Sequence, residues 1–269
     1  MGTLLGGLFH RLARRRGRII RFNLGLAYPE LKLRERERLA LDVGRHFGRA
    51  LLATLRIQRM RPEKLLRLVK VEGQEHLDAV VQGARGAFFL SAHLGAWEVA
   101  ALYLGLTLPG GFGVVHRPLD NPLLESELED FRRQFGNRML GKKAVLRAIL
   151  GEIKAGQPVG ILIDQKTRSR DGGVDVPFFG HPAKTHPILA RVVLKTDTPV
   201  IPVFAYAERG GRFTLSFGPP VPVEAQDDVI SLTARYTAVT EEAIRRRPEQ
   251  WLWYHDRWRE LRLASESSS

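Results

Sequence analysis

The apolar positions of this chain follow two rhythms. Short unbroken runs at 86–90, 158–163 and 199–206 have the length and composition of buried strands. Longer stretches with apolar residues three or four apart predict helices. The clearest covers 33–58, with Leu39, Val43, Phe47, Leu51 and Leu55 along one stripe. Further helices are expected at 62–68, 74–82, 99–108, 123–135, 144–154, 187–195 and 229–247. Shorter strands are expected at 69–72, 113–116 and 212–217, with Gly210-Gly211 turning into the last as a hairpin. The chain reads as α/β, with no internal repeat and no linker that would split it.

The pattern singles out one handover from strand to helix. After the apolar run at 86–90 come Ser91, Ala92, His93, Leu94, Gly95, Ala96, Trp97 and Glu98, and a helix follows. The ends of α/β strands are favoured places for sites. Five residues along one regular helix would turn His93 and Glu98 about 140° apart, so they meet only if His93 lies in the turn and Glu98 in the helix's first turn. Gly95 permits the backbone reversal between them. Paired this way, Glu98 fixes the imidazole tautomer and leaves the other nitrogen as a general base. A core histidine followed by a helix-opening glutamate would give the same letters.

Composition narrows the classes. There are no cysteines, which excludes disulfides, a thiol nucleophile and a cysteine metal site. His181 and His186 lack a carboxylate pattern beside them, so no metal and no cofactor are expected. Lys+Arg 42 against Asp+Glu 29 gives +13, a charge that favours nucleic acid, anionic headgroups or an acidic carrier protein. Met1–Arg21 mixes leucines with arginines and reads as a basic amphipathic helix at a membrane interface. No transmembrane helix is evident, since the apolar piece at 1–9 is too short. The stretch Trp251, Trp253, Tyr254, Arg257, Trp258 also suits a membrane interface, or a final helix docked on the core. Gly136 to Lys143 spells Gly-x4-Gly-Lys but has Lys143 where a phosphate loop needs Ser or Thr, and the match is read as chance.

His-x4-Glu after an apolar strand resembles the first motif of the glycerolipid acyltransferase superfamily. The wider phrase Ser-Ala-His-Leu-Gly-Ala-Trp-Glu is similar to its lipid A late acyltransferase branch, which also contains phosphatidylinositol-mannoside acyltransferases. Four further phrases occur in the family's order: Arg117-Pro-Leu-Asp-Asn-Pro, Asp164-Gln165, Val176-Pro-Phe-Phe-Gly with Thr185, and the proline-bounded run at 199–206. The Trp-x-Trp…His-x-Arg-Trp ending resembles the family's C-terminal signature.

This resemblance implies a single domain with a mixed central sheet flanked by helices. It implies an N-terminal helical region over 1–58, an acyltransferase domain over 59–263 and a disordered tail over 264–269. The implied reaction moves an acyl chain from acyl-acyl carrier protein, or acyl-CoA, to a hydroxyl of a lipid A precursor or related glycolipid. His93 and Glu98 are the implied catalytic pair. Arg117 is expected to hold acceptor phosphate, with Asp164 pairing to it; Gln165, Arg168, Phe178, Phe179 and Thr185 complete the expected substrate contacts. Phe178 and Phe179 either line an acyl groove or fill core. Many relatives carry a second acidic residue where this chain has Lys166. The implied place is the cytoplasmic face of the bacterial inner membrane, on an anionic surface, without specific nucleic acid. A phosphatidylinositol-mannoside or lysophospholipid acyltransferase is the alternative acceptor class. A basic nucleic-acid-binding protein and a non-catalytic membrane-surface protein are the alternatives of another kind.

Overall fold

The strand β2 (Phe88–Ser91) is buried along its whole length, between two parallel neighbours. A strand covered on both faces and both edges has no polar side to present, which is why it reads as one apolar run. The computed structural model describes residues 2–4, 6–7, 14–83, 86–116, 121–141 and 145–267. Arg117 lies outside them. The chain groups into two compact units, one of Thr54–Leu162 and Ile188–Gln226, the other of Met1–Ala53, Ile163–Pro187 and Asp227–Ser269.

The first unit holds a mixed seven-stranded sheet flanked by helices, in the order β1-β9-β8-β2-β5-β3-β4. Its strands are β1 (Val69–Glu72), β2, β3 (Phe112–Val115), β4 (Asn137–Leu140), β5 (Val159–Leu162), β8 (Val200–Ala207) and β9 (Phe213–Phe217). Five of them, β8 through β4 in that order, run parallel; β9 is antiparallel to β8 across the Gly210-Gly211 turn, as expected for the hairpin. The helix Trp97–Thr107 is apolar on nearly every side apart from Glu98 and Thr107, and its Val99, Ala100, Leu102, Leu104 and Gly105 are buried. Ala100 and Leu104 meet Phe89, Phe112 and Val203 of the sheet. Val99 and Leu102 meet Phe131 of the helix Pro122–Gln134 and Phe135, which caps its C-terminus.

Among its described residues the second unit has no large sheet. It contains the helices Arg14–Ala27, most of Leu33–Ile57, Val229–Arg246 and Arg259–Ser267, with an antiparallel hairpin of β6 (Val174–Phe178) and β7 (His181–Thr185). The two-residue hairpin turn places Phe179 at φ 50° and Gly180 at φ 75°. Phe179 tolerates this because its amide donates to Glu241 and its ring packs on Tyr28, Phe178, Trp253 and Trp258.

One alternative is decided here and two expectations change. Trp251, Trp253 and Trp258 are at most 2% exposed, so this segment is core and not a membrane-facing belt. It forms turns and a single bridge before the last helix, which itself continues to Ser267 through the stretch expected as a tail. In the helix Leu33–Ile57 the buried positions include Ala40, Val43 and His46, while Leu51 and Leu55 are exposed and Ile57 at its end is buried again. Within the Gly-x4-Gly-Lys match, read above as chance, 137–140 form the edge strand β4 paired with β3. No helix among the described residues is long and apolar enough to cross a membrane.

Candidate active site

In the sheet unit the path from β2 to the helix Trp97–Thr107 is a tight turn. Leu94 N–H bonds Ala92 O at 2.7 Å, and Ala96 N–H bonds Ala205 O of β8 at 2.7 Å. Gly95 sits at φ 61°, the left-handed conformation that its lack of a Cβ makes cheap. The turn therefore leaves His93 at the C-terminal end of β2 and puts Glu98 in the first helical turn, near the positive end of the helix dipole. The His93 ring, half-buried, lies 5.3 Å from the Trp97 ring.

Glu98 is held from another helix. Arg132 Nε donates to Glu98 Oε2 at 3.1 Å, and its NH2 group donates to Oε1 at 2.6 Å. Arg132 is 8% exposed, and Val99, Leu102, Phe131 and Phe135 form the cluster around this helix pair. A carboxylate has about four lone-pair directions, so a bidentate arginine occupies two and leaves two. Arg132 was absent from the sequence-based set. Its signal lies in spacing: Leu128, Phe131 and Phe135 mark an apolar stripe, and Arg132 falls on it at i+4 from Leu128. An arginine in a core position needs a buried anion.

His116 and Asn121, the described residues on either side of 117–120, both have side-chain partners. His116 Nε2 lies 2.7 Å from Glu125 Oε1, and Asn121 caps the next helix by accepting from Leu123 N–H at 3.0 Å and Leu124 N–H at 3.4 Å.

The other expected residues fall in the second unit. Asp164, 3% exposed, accepts from Trp251 Nε1 at 2.8 Å. Thr185 is fully buried and its Oγ1 accepts from Arg257 NH2 at 2.6 Å, while Arg257 NH1 donates to Lys184 O at 2.6 Å. Burial pushes the Arg257 guanidinium down to about 10, against the pull of Asp164. Phe178 and Phe179 are 0% and 5% exposed and lie inside the tryptophan cluster. Gln165 and Arg168 are exposed, with Arg168 paired to Asp171 at 2.9 Å. Lys166 bonds Glu260 at 2.6 Å, and its amide donates to His255 Nε2 at 2.8 Å. His255 and Arg257 of the C-terminal signature thus brace the 164–185 segment.

Comparison with known proteins defines the class: the chain is an acyltransferase. It belongs to the family described as bacterial lipid A biosynthesis acyltransferase, whose model matches residues 1–260. It is 29% identical to a lipid A biosynthesis lauroyltransferase of Escherichia coli, over 96% of this chain and 84% of the relative. A lipid A biosynthesis palmitoleoyltransferase of the same organism is 28% identical over all of this chain and 86% of its own length. A phosphatidylinositol mannoside acyltransferase of Mycobacterium tuberculosis is 24% identical over 79% of this chain and 67% of the relative.

Proposed function

We propose that the chain transfers a fatty acyl group from a thioester, acyl-acyl carrier protein or acyl-CoA, to a hydroxyl of a lipid A precursor, with His93 as general base. The observation that carries this reading is the strand-end His93 joined through a left-handed Gly95 to a Glu98 gripped by Arg132. His93 takes the proton of the acceptor hydroxyl as its oxygen attacks the thioester carbonyl carbon. The C–S bond then breaks, the imidazolium returns the proton to the departing thiolate, and ester and free thiol leave. Glu98 orients the imidazole and stabilises its charged form. Arg117 meets the acceptor's phosphate, while Gln165 and Arg168, being exposed, reach the headgroup. Asp164, Thr185, Phe178 and Phe179 act from the interior by holding the 164–185 loop in shape.

The acceptor is a lipid, and the surface suits a membrane. Exposed Leu51 and Leu55 stand beside exposed Arg49 and Arg56 on one helix, and the chain carries +13 overall. Apolar and cationic side chains together favour the anionic cytoplasmic leaflet of the inner membrane. The same charge draws an acidic carrier protein.

Mass spectrometry of the lipid product tests the reading. Purified protein in vesicles is given acyl-acyl carrier protein and a lipid A precursor, beside His93→Ala and Glu98→Ala. One added acyl chain, lost in both variants, is expected. Undiminished transfer by either variant overturns the His93–Glu98 mechanism. Transfer only to mannosylated or glycerol phospholipids reassigns the acceptor.

A further inference from the structure

His116 directly follows β3 and projects its Nε2 toward two carboxylates of the helix Pro122–Gln134. Glu125 Oε1 lies at 2.7 Å and Glu129 Oε1 at 3.6 Å. The His116 side chain is 8% exposed, Glu125 13% and Glu129 25%. One imidazole nitrogen can donate one proton, and the 2.7 Å contact uses it; 3.6 Å is too long for a second hydrogen bond. Glu125 and Glu129 are one helical turn apart, where like charges repel. Glu129 turns its other oxygen to Arg133 at 2.7 Å, which leaves Oε1 aimed at the histidine. Two half-buried anions thus converge on one nitrogen.

We infer that His116, Glu125 and Glu129 form a site for a divalent cation of the zinc or manganese class. One ligand atom from each residue lies within 4.8 Å of the others. An ion bound at about 2.0–2.2 Å from one nitrogen and two oxygens sets its ligands about 3–3.5 Å apart. The observed 2.7 and 3.6 Å bracket that spacing, so small side-chain movements convert the hydrogen bond into a ligand set. The imidazole selects against magnesium and calcium, which prefer all-oxygen shells. A bound ion would tie β3 to the helix on either side of residues 117–120, and it takes no part in the proton transfer proposed above. Sequence spacing hides the trio, because His116 comes from a strand end and the carboxylates from a later helix.

The test uses the full chain, stripped with chelator and titrated calorimetrically with zinc chloride, manganese chloride and magnesium chloride. His116→Ala and Glu129→Gln are compared with His76→Ala, which removes a histidine elsewhere. One equivalent of zinc or manganese per chain is expected, with magnesium weaker. His116→Ala should abolish it, Glu129→Gln should weaken it by about tenfold or more, and His76→Ala should leave it unchanged. Zinc or manganese should raise the unfolding temperature of the parent and of His76→Ala only. Absence of saturable binding, or equal binding by His116→Ala and Glu129→Gln, overturns the site and leaves a plain ion-pair cluster. Glu129→Gln keeps the side chain's size, so it decides the matter if His116→Ala fails to fold.

Discussion

Arg132 holds both carboxylate oxygens of Glu98, with the closer contact at 2.6 Å. The residue proposed to steer the catalytic imidazole is thereby itself steered, by an arginine 34 positions later in the chain. Arg132→Ala should strip Glu98 of two charge-assisted bonds and leave a partly buried anion, costing about 2–4 kcal/mol of stability. Arg132→Lys restores a charge without the planar fork. It should recover part of the unfolding temperature while kcat stays depressed by about tenfold or more. Melting curves read beside kcat and KM check this; a lysine variant with full kcat would mean that bidentate geometry is unimportant.

Gly95→Ala tests the turn. A Cβ in the left-handed region costs about 1–2 kcal/mol, and this residue stands at φ 61°. The unfolding temperature should fall by a few degrees. Acyl transfer should fall by much more than stability, because relaxing the turn separates His93 from the helix that bears Glu98. Parallel losses in the two readouts would make the turn merely structural.

Arg257 is the charge that the second unit can least do without. Its partners Lys184 O and Thr185 Oγ1 lie 2.6 Å away, and Asp164 shares its buried surroundings. Arg257→Ala removes both contacts, leaving Lys184 O with Thr167 N–H alone and Thr185 Oγ1 without its arginine donor, and should cost about 3–5 kcal/mol. Arg257→Lys should not rescue it, since one ammonium cannot reproduce the two-pronged contact. Urea unfolding followed by tryptophan fluorescence reports this directly, because Trp251 bonds Asp164 at 2.8 Å.

Alkaline pH should loosen the same unit. The Tyr28 hydroxyl is buried without a hydrogen-bond partner among the described residues, and burial pushes it up to about 12 despite Arg245 nearby. Burial raises Tyr236 in the same direction. An unfolded chain releases these protons near pH 10, while the folded chain keeps them. Above pH 10 the folded state binds more protons, so stability is complete below pH 10 and declines as pH rises toward 12. Tyr28→Phe should flatten that decline and leave stability at pH 8 unchanged or slightly higher, since no hydrogen bond is lost. Urea midpoints at pH 8 and pH 11 provide the comparison.

The legible parts of this chain were those whose physics is local. Buried parallel strands announce themselves as apolar runs, and 86–90 and 158–163 did so. The His93–Glu98 turn was readable because Gly95 marks a backbone reversal. The edge strand β4 and the β6–β7 hairpin were not. The strand β4 carries Asn137 and Arg138, pairs on one side only, and satisfies Arg138 through Glu152 at 2.6 Å. In the β6–β7 hairpin Pro177 stands opposite Pro182, and a phenylalanine occupies a turn position that usually takes Asn, Asp or Gly. The tryptophans read equally as interfacial or as core because aromatic and basic letters alternate there in either setting; only the three-dimensional partners of Arg257 and Trp251 distinguish a buried brace from a lipid-facing belt. Arg132 was hidden for a related reason, its partner lying on a different helix.

The order of synthesis meets a difficulty in the second unit. Asn23 donates to the carbonyls of Trp253 and His255, at 3.0 and 2.9 Å, across a separation of 230 residues for the first. At ordinary ribosomal rates that interval is on the order of ten to fifty seconds. Throughout it the nascent helix Arg14–Ala27 carries Ile20, Leu24 and a fully buried asparagine whose partners have not yet been made. The sheet unit ends at Gln226 and has all its strands before the C-terminal tryptophans emerge. A chain stopped short of Trp251 should therefore retain a foldable sheet beside an unclosed amphipathic remnant, an aggregation-prone species and a natural client for chaperones. Full-length translation is then the step that commits the molecule to its native state.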